Sequence, residues 1–249
     1  MDRSSVIGII LGVTAIVAGN VLEGGALGSI LQGTAAAIVF GGTLGATLLS
    51  FPFSDVRRAG SSLREVFFGR RPDPAPVIRR IVDFAATGRR NGLVALEPEL
   101  EYIGDGFFRR AVRLSIDGMN PKMLRETLER EIATYEDEKR RVAKVFETAG
   151  GFAPTIGILG AVLGLIHVME NLTDPSKLGA GIAVAFVATI YGVGSANLIL
   201  LPLAKKLANR LNEELCQKEL IVEGVLGIQS GVNPYYLEQK LISFVEGRD

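Results

Sequence analysis

Two long apolar runs, residues 152–169 and 178–203, constrain this chain more than any other feature. Each run is about long enough to cross the hydrocarbon core of a bilayer, which takes roughly 20 helical residues. Neither run contains an Asp, Glu, Lys or Arg, and only residues 170–177 separate them. Both are rich in Gly, Ala, Ser and Thr, which let membrane helices approach each other closely. The stretch therefore predicts a transmembrane helical hairpin.

A second hairpin is predicted near the N-terminus. Residues 6–22 are apolar, and residues 32–50 follow as another apolar run. The first run is longer than the apolar part of a typical signal peptide, which favours a retained span. The sequence thus predicts an all-α integral membrane protein with four transmembrane helices, at about residues 4–22, 30–51, 150–170 and 178–203.

The basic residues predict which side of the membrane each segment occupies. The turns after Leu22 and Met169 hold one basic residue between them, Lys177, whereas the other segments hold the remaining 26 of 27. Cytoplasmic segments carry the excess of Lys and Arg, so we expect both termini and the middle segment in the cytoplasm. The expected domains are a hairpin at 1–51, a cytoplasmic helical domain at 52–148, a hairpin at 149–204 and cytoplasmic C-terminal helices at 205–249.

The segments outside the spans carry helical patterns. Apolar residues recur at helical spacing over residues 77–85. A long helix is expected to begin at Pro121, with Asn120 as its cap, and to run straight into the third span. A leucine stripe continues the fourth helix beyond Pro202, and a last helix is expected after Asn233. We expect these helices to form one compact cytoplasmic core.

Composition argues against several classes of function. The formal net charge is zero and acidic residues lie among the basic ones, so no nucleic-acid interface is expected. Cys216 is the only cysteine, which predicts neither a disulfide framework nor a metal cluster. No nucleophile–base pair, metal-ligand spacing or phosphate loop is recognisable. We therefore expect neither an enzyme nor a bound cofactor.

The predicted spans lack a group that could carry an ion. Ion transport through membrane helices normally uses a carboxylate, a Lys or a His that faces an interior path. His167 lies near the outer end of its helix, where an interfacial or packing role is expected. If this chain takes part in ion conduction, the titrating group must come from another chain.

Small residues on the third and fourth spans form faces that could receive a helix of that other chain, or that could pack within the protein. These residues are Ala153, Gly157, Gly160, Ala161 and Gly164 on the third span and Ala185, Ala188, Thr189, Gly192 and Ser195 on the fourth. Pro154 and Pro202 lie near the cytoplasmic ends of the same spans. They either form a paired hinge or mark where the spans meet the cytoplasmic helices.

Three stretches of the sequence carry a resemblance to a known family. They are GGFAPTIGILGAVLGLIHVMENLTDPSKLG, IAVAFVATIYGVGSANLILLPLA and RRNGLVALE, at residues 150–179, 182–204 and 89–97. The first two resemble the third and fourth spans of MotA/PomA subunits of the bacterial flagellar stator, in the MotA/TolQ/ExbB proton channel family. The third is similar to the family's R-x-x-G-L-L-A-L-E motif.

Two predicted spans precede the middle segment, which favours the flagellar branch, because TolQ/ExbB proteins usually have one span there. The alternatives are a TolQ/ExbB-like subunit that energises an envelope transport or integrity system, and a scaffold that conducts nothing.

The resemblance implies partners and a mechanism. Family members form a homopentamer around two copies of a MotB-type subunit, which has a single span and binds peptidoglycan. The aspartate on that span takes up and releases the ion, and the ring turns and pushes on the rotor protein FliG. The resemblance also implies an inner-membrane location in contact with lipid.

The resemblance assigns candidate residues to the ion path. Pro154 and Pro202 match the family's two prolines near that path, and Thr155, Ala161 and Thr189 are the further candidates. Sodium-type relatives tend to carry a threonine where this chain has Ala161. A hydroxyl can bind sodium and a methyl cannot, so the resemblance predicts that protons are the coupling ion.

The resemblance also assigns charged residues to the rotor. Arg89 and Glu97 match the family's rotor-facing charged pair, and Arg90 is a second candidate for the arginine. Two exposed charges of opposite sign could steer a transient contact with an oppositely patterned surface.

Overall fold

The structure is a computed structural model that describes residues 3–69 and 72–246, and every regular element among them is helical. In chain order the α-helices are α1 (Arg3–Leu22), α2 (Gly33–Ala36), α3 (Gly42–Ser50), α4 (Phe53–Phe68), α5 (Pro74–Asn91), α6 (Gly106–Ile116), α7 (Pro121–Glu170), α8 (Pro175–Ser195), α9 (Leu201–Gln229) and α10 (Pro234–Glu246). Two 3-10 helices, Leu27–Ile30 and Leu93–Tyr102, and two π turns, Ala37–Gly41 and Ala196–Leu200, lie between them.

Four helical segments are long and apolar enough to cross a membrane. They are Ser4–Leu22, Leu27–Ser50, Pro121–Glu170 and Leu178–Gln229. Two of them precede residue 52, as predicted for the flagellar branch. The expected all-α protein with four candidate membrane spans is confirmed.

The ends of the helices follow the predicted capping chemistry. Asn120 Oδ1 accepts a hydrogen bond of 2.9 Å from the main-chain N–H of Lys122, and Pro121 begins α7. Helix α7 then continues without a break to Glu170, so the expected single helix through the third span is confirmed. Asn233 Oδ1 accepts a hydrogen bond of 3.0 Å from Tyr235 at the start of α10. These side chains satisfy main-chain donors that the first helical turn leaves free.

The chain divides into two compact units. The span unit comprises Met1–Gly69 and Arg140–Ala208, and the core unit comprises Arg70–Lys139 and Asn209–Asp249. The boundaries expected after residues 51, 148 and 204 refer to the membrane surface, and they stay a prediction.

The core unit is built around one apolar cluster. Helices α5, α6, α7, α9 and α10 and the 3-10 helix Leu93–Tyr102 contribute to it. Ile81, Leu128, Leu220 and Leu241 have no exposed surface. A side chain on Gly224 would place its Cβ 2.5 Å from Cδ1 of Ile81, so glycine there lets α9 approach α5. Helices α5, α6 and α10 thus pack together with parts of α7 and α9, whereas α4, which was expected in the same domain, belongs to the span unit.

The span unit is far less buried within the single chain. None of the apolar window of α1 is buried, and its glycines Gly8 and Gly19 have no atom within 4 Å of a Cβ position. A smaller apolar cluster joins α4 to α7 through Ala59, Val142 and Val145. Most of the surface of α1 is therefore left to lipid or to other chains.

Candidate functional site

The third and fourth spans touch through their main chains. A Cβ on Gly192 of α8 would lie 2.5 Å from the carbonyl oxygen of Ala153 and 3.0 Å from Cα of Gly157, both in α7. A Cβ on Gly164 would lie 2.7 Å from the main-chain N of Ala185. Real Cβ atoms do not approach other atoms so closely, so only glycine permits this contact.

This contact decides how the small residues of the two spans are used. Most of them are buried inside the chain, namely Ala153, Gly157, Gly160, Gly164, Ala185, Ala188 and Gly192. Of the two alternatives that the sequence left open, packing within the protein explains these seven positions. Ala161, Thr189 and Ser195 stay half-buried.

The second span carries a buried stripe with four-residue spacing, and the first part of this stripe packs on the fourth span. Ala35, Val39, Thr43 and Thr47 are all buried, and the first two contact the apolar cluster of α8. Thr47 Oγ1 donates a hydrogen bond of 2.7 Å to the carbonyl of Thr43, four residues earlier, which satisfies the hydroxyl within its own helix. A buried threonine can thus serve as a compact packing residue in a span.

Tyr191 of α8 fixes the turn that precedes the second span. Its hydroxyl donates a hydrogen bond of 2.7 Å to the carbonyl of Ile30 and accepts one of 3.2 Å from the N–H of Gln32. Its ring stacks on Phe40 with centroids 5.7 Å apart. The sequence shows a tyrosine inside an apolar run, but its partners lie about 160 residues away and no local pattern reveals them.

The two candidate prolines lie close to the point where the spans meet. Pro154 is half-buried within α7, and the helix continues through it. Because Pro154 has no N–H, the carbonyl of Gly150 loses its normal helical donor. A Cβ on Gly150 would lie 2.7 Å from Cδ2 of Leu201, the residue before Pro202. Both prolines thus disturb helical hydrogen bonding in the same layer of the span unit.

A π turn precedes Pro202. The N–H of Leu201 donates to the carbonyl of Ala196, five residues back, instead of to that of Asn197. Pro202, which is five residues after Asn197, has no N–H to offer, so the Asn197 carbonyl receives no main-chain donor from the next turn. Turns of this type frequently mark functional positions in helices, and sequence periodicity does not reveal them.

The other candidate residues of the ion path are uncharged and satisfied within their own helices. Thr155 is exposed, and its hydroxyl donates 2.8 Å to the carbonyl of Phe152. The hydroxyl of half-buried Thr189 donates 3.3 Å to the carbonyl of Ala185. Their lone pairs remain able to accept a hydrogen bond from water or from another chain. Ala161 offers only a methyl group.

Residues 152–169 and 178–203 contain no Asp, Glu, Lys or Arg, and His167 is the one histidine in them. The His167 side chain is 55% exposed, and its Nδ1 lies 4.0 Å from a carboxylate oxygen of Glu170. Among the described residues no group of three or more His, Cys, Asp or Glu side chains could hold a metal ion. These two runs therefore offer polar acceptors but no carboxylate.

The candidate rotor-facing charges lie in the core unit. Arg89 and Arg90 occupy the last turn of α5, and Glu97 lies in the 3-10 helix that follows Gly92, whose φ is 80°. All three side chains are exposed, and none forms an ion pair with another described residue. Leu96 beside them is 1% exposed and anchors the segment. These charges are consequently available to a partner.

A second set of charges holds the core unit together. Glu223 of α9 accepts hydrogen bonds of 2.6 Å from Arg125 of α7 and 2.7 Å from Lys240 of α10. Burial works to raise the pKa of Glu223, but the hydrogen bonds and charges of Lys240 and Arg125 outweigh it and hold that pKa below its usual 4.5. The bond to Glu223 likewise raises the pKa of Arg125. These pairs pin α10 to the rest of the core.

Comparisons with known proteins agree with this arrangement. Residues 99–219 match the MotA/TolQ/ExbB proton channel family, and residues 6–81 match the family described as Motility protein A N-terminal. Motility protein A of Bacillus subtilis is 32% identical over 100% of this chain and 93% of its own length. The uncharacterized protein YtxD of the same organism is 36% identical over 98% of this chain and 90% of its own length.

A solved structure of the flagellar MotAB stator complex from Bacillus subtilis superposes with a TM-score of 0.92 at 32% identity. The match covers 100% of this chain and 98% of that chain. Sequence and fold therefore agree along the whole length, and the chain belongs to the MotA/TolQ/ExbB proton channel family.

Proposed function

We propose that this chain is the A subunit of a bacterial flagellar stator, which forms an ion channel with a MotB-type partner and converts ion-motive force into torque on the rotor. One observation carries the proposal: over its full length, this chain matches one chain of a flagellar stator complex in both sequence and fold. The TolQ/ExbB-like alternative is not favoured, because the reported relatives include motility proteins and two candidate spans precede the middle segment.

The partner supplies the titrating group. Residues 152–169 and 178–203 contain no carboxylate, so the ion must be carried by the aspartate on the single span of the partner. Two partner copies within a ring of five A subunits would place that aspartate against the side chains of Thr155, Ala161 and Thr189, which are exposed or half-buried. The hydroxyls of Thr155 and Thr189 would accept hydrogen bonds from water or from the protonated aspartate.

The two prolines couple the ion to movement. Pro154 and Pro202 free main-chain carbonyls in the layer where α7 meets α9, and the missing hydrogen bonds make bending there less costly than elsewhere in the helices. Protonation of the partner's aspartate would shift the helices at this layer. The exposed charges Arg89, Arg90 and Glu97 would then push on the rotor protein FliG.

The protein is a multi-pass inner-membrane protein, and its orientation follows from its charges. The excess of Lys and Arg in the middle and C-terminal segments supports a cytoplasmic position for both termini and the core unit. Protons are the coupling ion, because Ala161 offers a methyl group where a sodium site would use a hydroxyl oxygen.

Complementation tests the proposal. The chain and its MotB-type partner are expressed in a motile host that lacks its own stator genes, and swimming in soft agar is scored. Swimming should be restored, should persist without sodium and should stop when a protonophore is added. Membrane insertion of both proteins without any swimming would contradict the proposal.

A charge reversal tests the rotor contact separately. Arg89→Glu should weaken swimming while proton flux in reconstituted vesicles stays unchanged, because Arg89 lies in the core unit and outside the spans. Charge reversal at Arg113, an exposed residue of α6, provides the control.

A further inference from the structure

An exposed aromatic pair, Tyr235 and Tyr236, opens helix α10 in the core unit. The two side chains are 63% and 67% exposed, and their rings meet edge to face with centroids 5.7 Å apart. Tyrosines are enriched at protein interfaces, where the ring is buried and the hydroxyl finds a polar partner.

Packing in the core unit shows where the end of α5 lies. A Cβ on Gly224 of α9 would lie 2.5 Å from Ile81 of α5, and a Cβ on Gly88 of α5 would lie 3.5 Å from Ile228 of α9. Later residues of α5 thus meet later residues of α9, so the two helices run in the same direction. Both helices finish at the same end of the core unit.

Helix α10 begins at that end. Lys240 pairs with Glu223, and a Cβ on Gly227 would lie 2.5 Å from Leu237, so α10 runs back along α9. The first turn of α10 therefore lies where α5 finishes, and α10 also packs directly on α5. Tyr235 consequently lies at the same end of the core unit as the last turn of α5.

The charges assigned to the rotor occupy this end. Arg89 and Arg90 form the last turn of α5, and the following 3-10 helix starts here because Leu93 lies 3.5 Å from the Cβ position of Gly88. Val94, which is 66% exposed, and then Glu97 follow on that helix. The end thus combines aromatic, aliphatic and charged side chains that are exposed within the part of the chain that the structure describes.

The helix that carries the tyrosines is anchored at its start. Asn233 caps the first turn of α10, and Leu237 and Leu241, which are 1% and 0% exposed, anchor the helix in the core. Groups that are fixed before binding lose little conformational entropy on contact, so they bind more tightly for the same area.

We propose that Tyr235 and Tyr236, together with Val94, form the apolar centre of the surface that contacts the rotor protein, with Arg89, Arg90 and Glu97 as its charged rim. The inference rests on the proposed function, since the rotor contact of the charges belongs to it. An aromatic centre within a charged rim is the usual anatomy of an interface that forms and breaks. Permanent contacts between subunits are more apolar and exclude unpaired charges, which argues against a second copy of this chain as the occupant.

The test is the double variant Tyr235→Ala/Tyr236→Ala in stators purified with the partner. Removal of both rings should weaken binding of the purified rotor protein by about tenfold or more, because aromatic residues at interface centres commonly carry that much affinity. Motor torque in tethered cells should fall, while proton flux in vesicles stays at the wild-type level. The double variant Tyr235→Phe/Tyr236→Phe should retain most of the binding.

Tyr102→Ala is the matched control. Tyr102 is 76% exposed, but it is the last residue of the 3-10 helix Leu93–Tyr102. It lies beyond Glu99, which pairs with Arg80 at 3.1 Å, and so at the end of that helix away from Val94. Its removal should leave rotor binding and torque unchanged. An equal loss in Tyr102→Ala would overturn the inference, because the effect would not depend on the proposed surface.

The remaining outcomes separate the inference from the proposed function. Normal torque and rotor binding in the alanine double variant, with impaired torque in Arg89→Glu, would refute the aromatic contact and leave the stator assignment intact. Normal torque in both would refute the proposed rotor contact itself. Failure of the alanine variant to assemble with its partner would identify the tyrosines as a subunit contact and refute the inference.

Discussion

At the scale of single residues, glycine determines how closely the third and fourth spans approach. Lipid chains are as apolar as the spans, so the hydrophobic effect provides little attraction between membrane helices. Close van der Waals contact must provide it instead. Gly157, Gly164 and Gly192 allow main-chain atoms of α7 and α8 to touch, and a larger residue at any of them would force the helices apart.

Replacement of Gly192 by valine should therefore destabilise the protein. The new Cβ would lie 2.5 Å from the carbonyl of Ala153, and overpacking of this kind costs about 1–3 kcal/mol. Gly194→Val is the control, because Gly194 is in the same helix and has no atom within 4 Å of its Cβ position. Thermal unfolding in detergent should show a lower midpoint for Gly192→Val alone, and equal midpoints would contradict the packing argument.

Glu223 should contribute to stability in a pH-dependent way. Its pKa in the folded protein lies below the ordinary value of 4.5, so the ionised form stabilises the fold above that value, and this contribution is lost as the pH falls through the lower, folded pKa. Glu223→Gln should cost about 1–3 kcal/mol at neutral pH, because Arg125 and Lys240 lose a charged acceptor.

Measuring stability at several pH values distinguishes the loss of the Glu223 ion pairs from a loss of stability that does not depend on charge. The difference between wild type and Glu223→Gln should shrink as the pH falls below 4.5, because Glu223 then becomes protonated in the wild type. Glu238→Gln, on α10 and without an ion pair among the described residues, should follow the wild type at all pH values. A difference between wild type and Glu223→Gln that does not change with pH would argue against the ion pairs.

At the scale of helices, the notable feature is that α7 continues through Pro154 and that α9 starts one residue before Pro202. A proline inside a soluble helix usually bends or ends it, because it removes a hydrogen bond and crowds the preceding turn. Here neighbouring helices hold the segment in place, as Gly150 against Leu201 shows. The span unit thus contains two helices that are continuous but locally weakened.

Pro154→Ala should separate stability from function. Alanine restores the hydrogen bond to the Gly150 carbonyl, so the variant should be more stable by about 1–3 kcal/mol, yet swimming should decrease because α7 becomes stiffer. Pro121→Ala is the control, since Pro121 is the first residue of α7 and frees no helical carbonyl. Calorimetry and swimming speed measure the two effects, and unchanged swimming in Pro154→Ala would rule out the hinge.

At the scale of the whole molecule, charge is distributed by unit. The core unit is stabilised by a buried apolar cluster and by ion pairs such as those of Glu223, whereas residues 152–169 and 178–203 contain no Asp, Glu, Lys or Arg. We therefore predict that this chain forms the wall of an ion path and that a second protein brings the ion-carrying group.

Reconstitution tests this conclusion. Vesicles with the chain alone should show no proton flux above the lipid background, and vesicles with the MotB-type partner should conduct. Replacement of the partner's span aspartate by asparagine should abolish the flux, whereas His167→Gln in this chain should leave it unchanged. Substantial flux through the chain alone would overturn the account.

The sequence by itself determined the four spans, the long helix α7 and the helix starts at Asn120 and Asn233. Each of these depends on local properties, since hydropathy over about 20 residues specifies a span and one side-chain oxygen specifies a cap. The exposure of Arg89 and Glu97 was also predictable, because charged residues rarely lie fully buried without a partner.

Only the tertiary structure decided which partners these elements take. The spacing of Gly157 and Gly192 defines a small-residue face, but the same face suits a helix of this chain and a helix of another. Tyr191 shows the same limit, because its hydroxyl bonds to Ile30, a residue distant in sequence. Hydropathy and helical periodicity act along the chain, whereas packing joins residues far apart in it, and only the folded arrangement determines which surfaces stay free.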